Sequence, residues 1–267
     1  MTMMKKQLFS LVVVLLCVGC GNTRQPAALV QSVQTTRQPG NWNDSVDLYR
    51  QQARGGSGEA FQKLARCYFY GRGVRRDYLT MLSMAERAQQ LTGTTVAKFM
   101  DTLPPDADYR LLWTGIEAAL VCDDATAYDC IMALEHAELP EARIIRIIRA
   151  HDDPTRQEVI RTIYKNVNSE SSPVEQAMAC LGAVDAGDYR YASKNLLRLA
   201  ESSPALWVSL GNLYAHHGPV RNDSLAAIYY AKADEYALLD NIQRHWLDEY
   251  RYYQQTKSEM KKTENVW

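Results

Sequence analysis

Two distant segments of this chain agree without a gap, and no other feature constrains the fold as much. Leu64, Tyr68, Val74, Arg75 and Asp77 of LARCYFYGRGVRRD stand opposite Leu210, Tyr214, Val220, Arg221 and Asp223 of LGNLYAHHGPVRND. A pattern that recurs at a distance marks a structural unit used twice, and such units bury their apolar faces against their neighbours. The spacing describes the unit. A first helix ends after the tyrosine and a glycine-bearing turn reverses the chain. That turn is Gly71 and Gly73 in one copy and His217-Gly218-Pro219 in the other. Asp77 and Asp223 then cap the returning helices. Small residues such as Ala65, Ala85 and Ala88 let the two helices approach closely.

The remainder parses into helices of roughly 10 to 17 residues with readable ends. Asp153-Pro154 and Ser203-Pro204 place a capping side chain before proline, and Ser172-Pro173-Val174-Glu175 is a capping box. Gly55-Gly56, Gly93 and Gly187 supply stops. Only Leu11 to Val14 has the look of a strand, and it lies in an N-terminal apolar run. Short connections between such helices predict an all-α fold of antiparallel pairs. The net charge of −1 and the lack of any basic block beyond Lys261-Lys262 argue against a nucleic-acid partner.

Residues 53–93 resemble the Sel-one-like repeat, a cousin of the tetratricopeptide repeat. Ala60, Leu64, Tyr68, Gly71-Arg72-Gly73-Val74, Asp77 and Ala88 fall where that family places its small, aromatic, turn and capping residues. Met81 and Met84 depart from its usual Ala and Trp. Residues 199–237 match more weakly, because Ala231 and Ala233 fit only after a one-residue slip. Residues 177–204 resemble a tetratricopeptide repeat through Gly187-Asp188-Tyr189, Ala192, Leu196 and Pro204. Residues 109–168 are helical without a repeat signature. The resemblance covers about half of the chain and implies a right-handed superhelix, or solenoid, of helix pairs that offers a groove to protein partners.

The N-terminus carries a second resemblance. Lys5 and Lys6 precede the apolar run Leu8 to Val18, which is too short to span a bilayer at ~20 residues per helix. Gly19 and Cys20 follow, and the whole is similar to a bacterial lipoprotein signal, with Cys17 standing where Leu is usual. The resemblance implies cleavage after residue 19, a lipid on Cys20, and attachment to the bacterial envelope, at the outer membrane ahead of the inner. An ordinary secretory signal and a single-pass anchor are the alternatives. Residues 20–41 then read as a tether, 42–255 as the helical-repeat domain and 256–267 as a polar tail. Cys67, Cys122, Cys130 and Cys180 are read either as free, small apolar side chains or as disulfide partners in an exported protein.

No catalytic set, metal site or cofactor motif emerges. His216-His217 sits in a turn without a carboxylate or cysteine at ligand spacing, and Glu135, His136 and Glu138 read as a charged helix face. Asp123-Asp124 and Asp152-Asp153 fit helix junctions, and Gly55-Gly56-Ser57-Gly58 lacks the lysine of a phosphate loop. Near the C-terminus, Ile242, Trp246, Tyr250 and Tyr253 form a stripe expected to seal the array, leaving Arg251 and Tyr252 to face a partner. The expected function is an adaptor for another exported or envelope protein. A hydrolase of envelope polymer using carboxylates in 109–168, and a module binding a peptide or small ligand, are the alternatives.

Overall fold

A computed structural model describes residues 42–150, 156–168 and 170–264, and among these every regular element is helical. The leader, Cys20, the tether and Asp152-Asp153 lie outside them. The helices are α1 (Trp42–Arg54), α2 (Gly58–Tyr70), α3 (Tyr78–Thr92), α4 (Val96–Asp101), α5 (Asp108–Leu120), α6 (Asp124–His136) and α7 (Ala142–Arg149). They continue with α8 (Arg156–Asn166), α9 (Pro173–Asp185), α10 (Tyr189–Ala200), α11 (Ala205–His216), α12 (Asp223–Glu235) and α13 (Asn241–Glu264). A 3-10 turn at Gly218–Val220 joins α11 to α12.

Neighbours in sequence are neighbours in space. Helices α1 to α4 pack in order, α5, α6 and α7 form a three-helix unit, and α7 to α13 again pack in order. One apolar core runs through all of them, from Val46 in α1 to Leu247 in α13. Arg76 joins the first two units by pairing with Asp108 at 2.6 Å while lying over the Tyr109 ring, which also meets Tyr78 edge-on.

Close helix approach rests on residues without bulk. A methyl group on Gly115 of α5 would fall 2.3 Å from Ile145 Cδ1, and one on Gly211 of α11 equally near the Tyr230 ring. At Gly182 of α9 the obstacle is the backbone of α8, with the Ile160 carbonyl oxygen 2.6 Å away. In α2 the place of Gly211 is taken by Ala65, which is fully buried. The duplicated unit also repeats an electrostatic device. Arg87 of α3 lies over Phe61 of α2, and Lys232 of α12 lies over Trp207 of α11, at 5.6 and 4.0 Å from the ring centroids.

The two turns differ. In the first hairpin the Asp77 amide donates to the Tyr68 carbonyl and the Asp77 carboxylate caps α3 by accepting the Thr80 amide. In the last, the Asn222 amide donates to Tyr214 and the Asn222 side chain caps α12 by accepting from Leu225. The last turn is therefore one residue shorter, and this deletion is the slip needed to align Ala233 with Ala88. It also corrects the reading of Asp223. That residue is not the cap but the first residue of α12, paired with Arg221 at 3.0 Å and favourably placed at a positive helix end.

Ser203 is a second correction. Its hydroxyl does not cap α11; it donates to both carboxylate oxygens of Asp77, at 3.0 and 2.9 Å. The vacated amide of Ala205 donates instead to the hydroxyl of Thr80, at 3.0 Å. Two helix starts more than a hundred residues apart thus satisfy each other's orphan groups. Arg54 extends the junction by donating to the Asp234 carbonyl, and Arg87 by donating to that of Leu239. The first and last hairpins are consequently in contact, which a linear stack of units does not provide.

Helix α13 corrects two further expectations. Its buried residues are Gln243 and Leu247, with Trp246 and Tyr250 half-buried, while Ile242 and Tyr253 are about half exposed. The helix also continues through the segment read as a polar tail, to Glu264. Cys67, Cys130 and Cys180 are free and buried, whereas Cys122 is free and exposed in the left-handed region at φ 60°.

Candidate functional site

Three places carry more exposed or concentrated chemistry than the fold itself demands: the turn of the first hairpin, a cleft beside α7, and the outer half of α13.

At the turn, Gly71 ends α2 in the left-handed region at φ 72°, its amide donating to the Cys67 carbonyl. Gly73 is also left-handed, at φ 69°, and a methyl group there would meet the Trp42 carbonyl oxygen at 2.7 Å. Both conditions demand glycine. Asp77 closes the turn from behind through Thr80 and Ser203; burial pushes its carboxyl upward, and the hydrogen bonds from those two residues pull it back in part. On the outer side, Arg72 lies over the rings of Trp42 and Tyr70, and Arg75 beside it is exposed. Among the described residues neither guanidinium meets a carboxylate.

The cleft, about 410 Å³, is lined in part by Glu135, Glu138, Arg143, Arg146, Glu170 and Glu175. Most of these charges are already committed. Glu135 accepts from Nε and Nη2 of Arg146, one bond to each carboxylate oxygen, at 2.7 and 2.8 Å. Glu175 is almost wholly buried in the capping box, accepting the Ser172 amide at 3.0 Å with Arg143 Nε at 3.5 Å. Arg143 also donates to the Asn166 carbonyl. Glu138 and Glu170 keep carboxylates without a cationic partner among the described residues. Glu135 and Glu175 therefore hold the walls of the cleft together, as an ion-pair partner and a helix cap.

The other sequence candidates fall to structural tasks. Asp123 caps α6, and hydrogen bonds from Thr126 hold its carboxyl below the usual range. Asp124 pairs with Arg149. His217 lies against the Tyr189 ring, and burial followed by the neighbouring His216 pulls its imidazole downward. Among the described residues no group of three or more His, Cys, Asp or Glu side chains is placed to hold a metal ion. No helix among them is long and apolar enough to cross a membrane.

One group escaped sequence reasoning. Glu86 of α3 is 8 % exposed, and burial alone pushes its carboxyl well above the ordinary range. Its position between Ala85 and Ala88, two small residues expected at a close helix contact, was the available signal.

From Arg251 to Ser258 α13 is exposed nearly all round, with Tyr252 at 73 % and Tyr253 at 59 %. Behind this length, Trp246 is stacked on Tyr250 and meets Tyr230 edge-on, so the root of the helix is fixed.

No family model, curated protein or solved structure matches this chain.

Proposed function

We propose that this protein is a lipid-anchored adaptor of the bacterial envelope: a Sel-one-like/tetratricopeptide-like array, wound as a right-handed superhelix, that holds another exported protein. The observation that carries the reading is α13, a helix of 24 residues rooted in the core at Leu247 and exposed at Arg251, Tyr252 and Tyr253. Ordering two large aromatic side chains in water gains nothing for the fold, whereas Tyr and Arg are common anchors in protein interfaces. The lipoprotein-like leader supports the location, and the ordered stacking of helix pairs supports the scaffold. In this reading Cys20 carries the lipid, and neither catalytic residue nor cofactor is assigned.

The test is quantitative capture of envelope proteins by the full chain and by a Tyr252→Ala/Tyr253→Ala variant. One specific partner should be retained by the natural chain and reduced at least tenfold by the variant, with an unchanged melting temperature. Equal retention by both would overturn the assignment of α13. Turnover of an envelope polymer that vanishes on changing Glu138 or Glu170 would replace the adaptor by a hydrolase.

A further inference from the structure

The turn of the first hairpin stands where the tether enters the fold. Gly73 packs directly against the backbone of Trp42, so the first residue of α1 and the turn form one surface. That surface is unusual in its side chains. Trp42 is 47 % exposed and Tyr70 40 % exposed, and Arg72 lies between their rings, 5.1 and 4.6 Å from the centroids. Arg75, three residues further along the same turn, is exposed. Of the nearest acidic residues in sequence, Asp77 faces inward to Thr80 and Ser203, and Asp44 lies in the first turn of α1.

Trp and Tyr favour the zone between headgroups and acyl chains, and exposed arginines favour anionic phosphate. We propose that Trp42, Tyr70, Arg72 and Arg75 form a membrane-facing surface that seats the folded domain on anionic phospholipid. The proposal rests on the lipid-anchored reading, which supplies the proximity. Fully extended, residues 20–41 keep Trp42 within roughly 75 Å of a lipid on Cys20. An attached surface meets the bilayer at high effective concentration, so a patch too weak to recruit a free protein is enough to orient an anchored one. Each arginine near an anionic surface strengthens association about fivefold. The stacking of Arg72 on two rings holds its charge outward in advance.

The consequence is an orientation. With the first turn against the bilayer, the domain's distance from the membrane is set by its own surface, and the seat is the same one from which the tether leaves.

The experiment uses the acylated full chain in vesicles that contain brominated phosphatidylcholine, with or without one-third phosphatidylglycerol. Flotation reports the anchor. The emission lost by quenching, less that lost in a Trp42→Phe variant, reports the patch. Trp42 emission should fall at least twofold in anionic vesicles and much less in zwitterionic ones, and an Arg72→Glu/Arg75→Glu variant should float equally but escape quenching. Protein that floats with Trp42 unquenched in anionic vesicles would overturn the proposal and leave the patch to a protein partner. Equal quenching in the charge-reversed variant would overturn the role of the arginines. Protein that fails to float contradicts the anchor instead; held to the same vesicles by a histidine tag at its N-terminus and a nickel-chelating lipid, it still tests the patch, and unquenched Trp42 there overturns the proposal too.

Discussion

In the hairpin α2–α3 the Tyr68 carbonyl receives the amide of Asp77, while in α11–α12 the Tyr214 carbonyl receives that of Asn222, one residue sooner. The helices on either side keep their register: Leu64 and Leu210 are fully buried, and each pair carries a cation on its second helix over a ring on its first. What differs is the load on the turn. The first turn supports the N-terminus of α1, so its backbone must pass under Trp42 in a conformation open only to glycine. Nothing lies within 4 Å of a methyl group on Gly218, and that turn is a plain 3-10 segment without a left-handed residue. Helix packing fixes the positions that recur, and the neighbours of a turn decide how it is closed.

Two substitutions test the packing half of this comparison, and the first of them should have the largest effect of all. Gly211→Ala places a methyl group inside the ring of Tyr230, which is buried and held by its hydroxyl bond to Asn212 at 2.7 Å. The gain in helix propensity does not offset the overpacking, and thermal or denaturant unfolding should show a net loss of about 3 kcal/mol. At the equivalent place in the first hairpin, Ala65→Gly should cost only about 1 kcal/mol, from backbone entropy. A Gly211→Ala variant as stable as the natural chain would mean that α11 and α12 are free to spread.

Gly73→Ala and Gly218→Ala test the turn half. The first combines a positive φ with a clash against Trp42 and should cost about 2 kcal/mol. The second should lie within about 0.5 kcal/mol of the natural chain. Equal effects would show that the load carried by α1 is not what demands glycine.

The caps give a smaller effect with a sharper assignment. Asn222→Ala should destabilise by about 1 kcal/mol and Asp223→Ala by less than about 0.5 kcal/mol. Were Asp223 the more costly of the two in unfolding experiments, the last turn would have the length of the first. Asp77→Ala should exceed Asn222→Ala, because it also strands the Ser203 hydroxyl. A double-mutant cycle of Asp77→Ala with Ser203→Ala should return a positive coupling of about 1 kcal/mol, and independent effects would break the junction between the hairpins.

How far the fold was legible follows from which signals are local. Helix type, the Ser172 capping box and the Asp77 cap are written in a few adjacent residues, and all three occur as read. The Asn222 cap was obscured because an ungapped match hides a one-residue deletion between two helices. Ser203 was misread because its partner Asp77 is far away in sequence; by local rules a serine before Pro204 is a cap. The face of α13 was misjudged for a related reason. Four large apolar residues suggested one inward stripe, but the core against which α13 lies accepts Gln243 and Leu247, leaving Ile242 and Tyr253 outside. Of the candidate surfaces, Tyr252 and Arg251 were visible as surplus to that stripe, whereas the pairing of Trp42 with the first turn depends on a tertiary contact at Gly73.

After the one-residue slip, Glu86 in the first hairpin stands opposite Ala231 in the last, and this difference is expected to be visible only as a function of pH. Burial raises the folded-state carboxyl of Glu86 well above its ordinary value of 4.5. The folded chain therefore holds that proton more tightly than the unfolded chain does. Below about pH 4.5 both states are protonated and Glu86 costs nothing; as pH rises, the unfolded state ionises freely and stability is lost until the folded group ionises too. Glu86→Gln keeps the shape and removes the titration. Melts of the two proteins should nearly coincide at about pH 4.5, the smallest difference among these comparisons, and separate progressively toward about pH 8, with the Glu86→Gln variant the more stable. Asp77, Glu117 and Glu141, which are also raised by burial, remain in both proteins and cancel in the difference. An offset that does not change with pH would mean that Glu86 titrates normally. A natural chain that gains on the variant as pH rises would mean that its ionised carboxylate has found a partner. Either result would remove the buried acid as the feature that separates the first hairpin from the last.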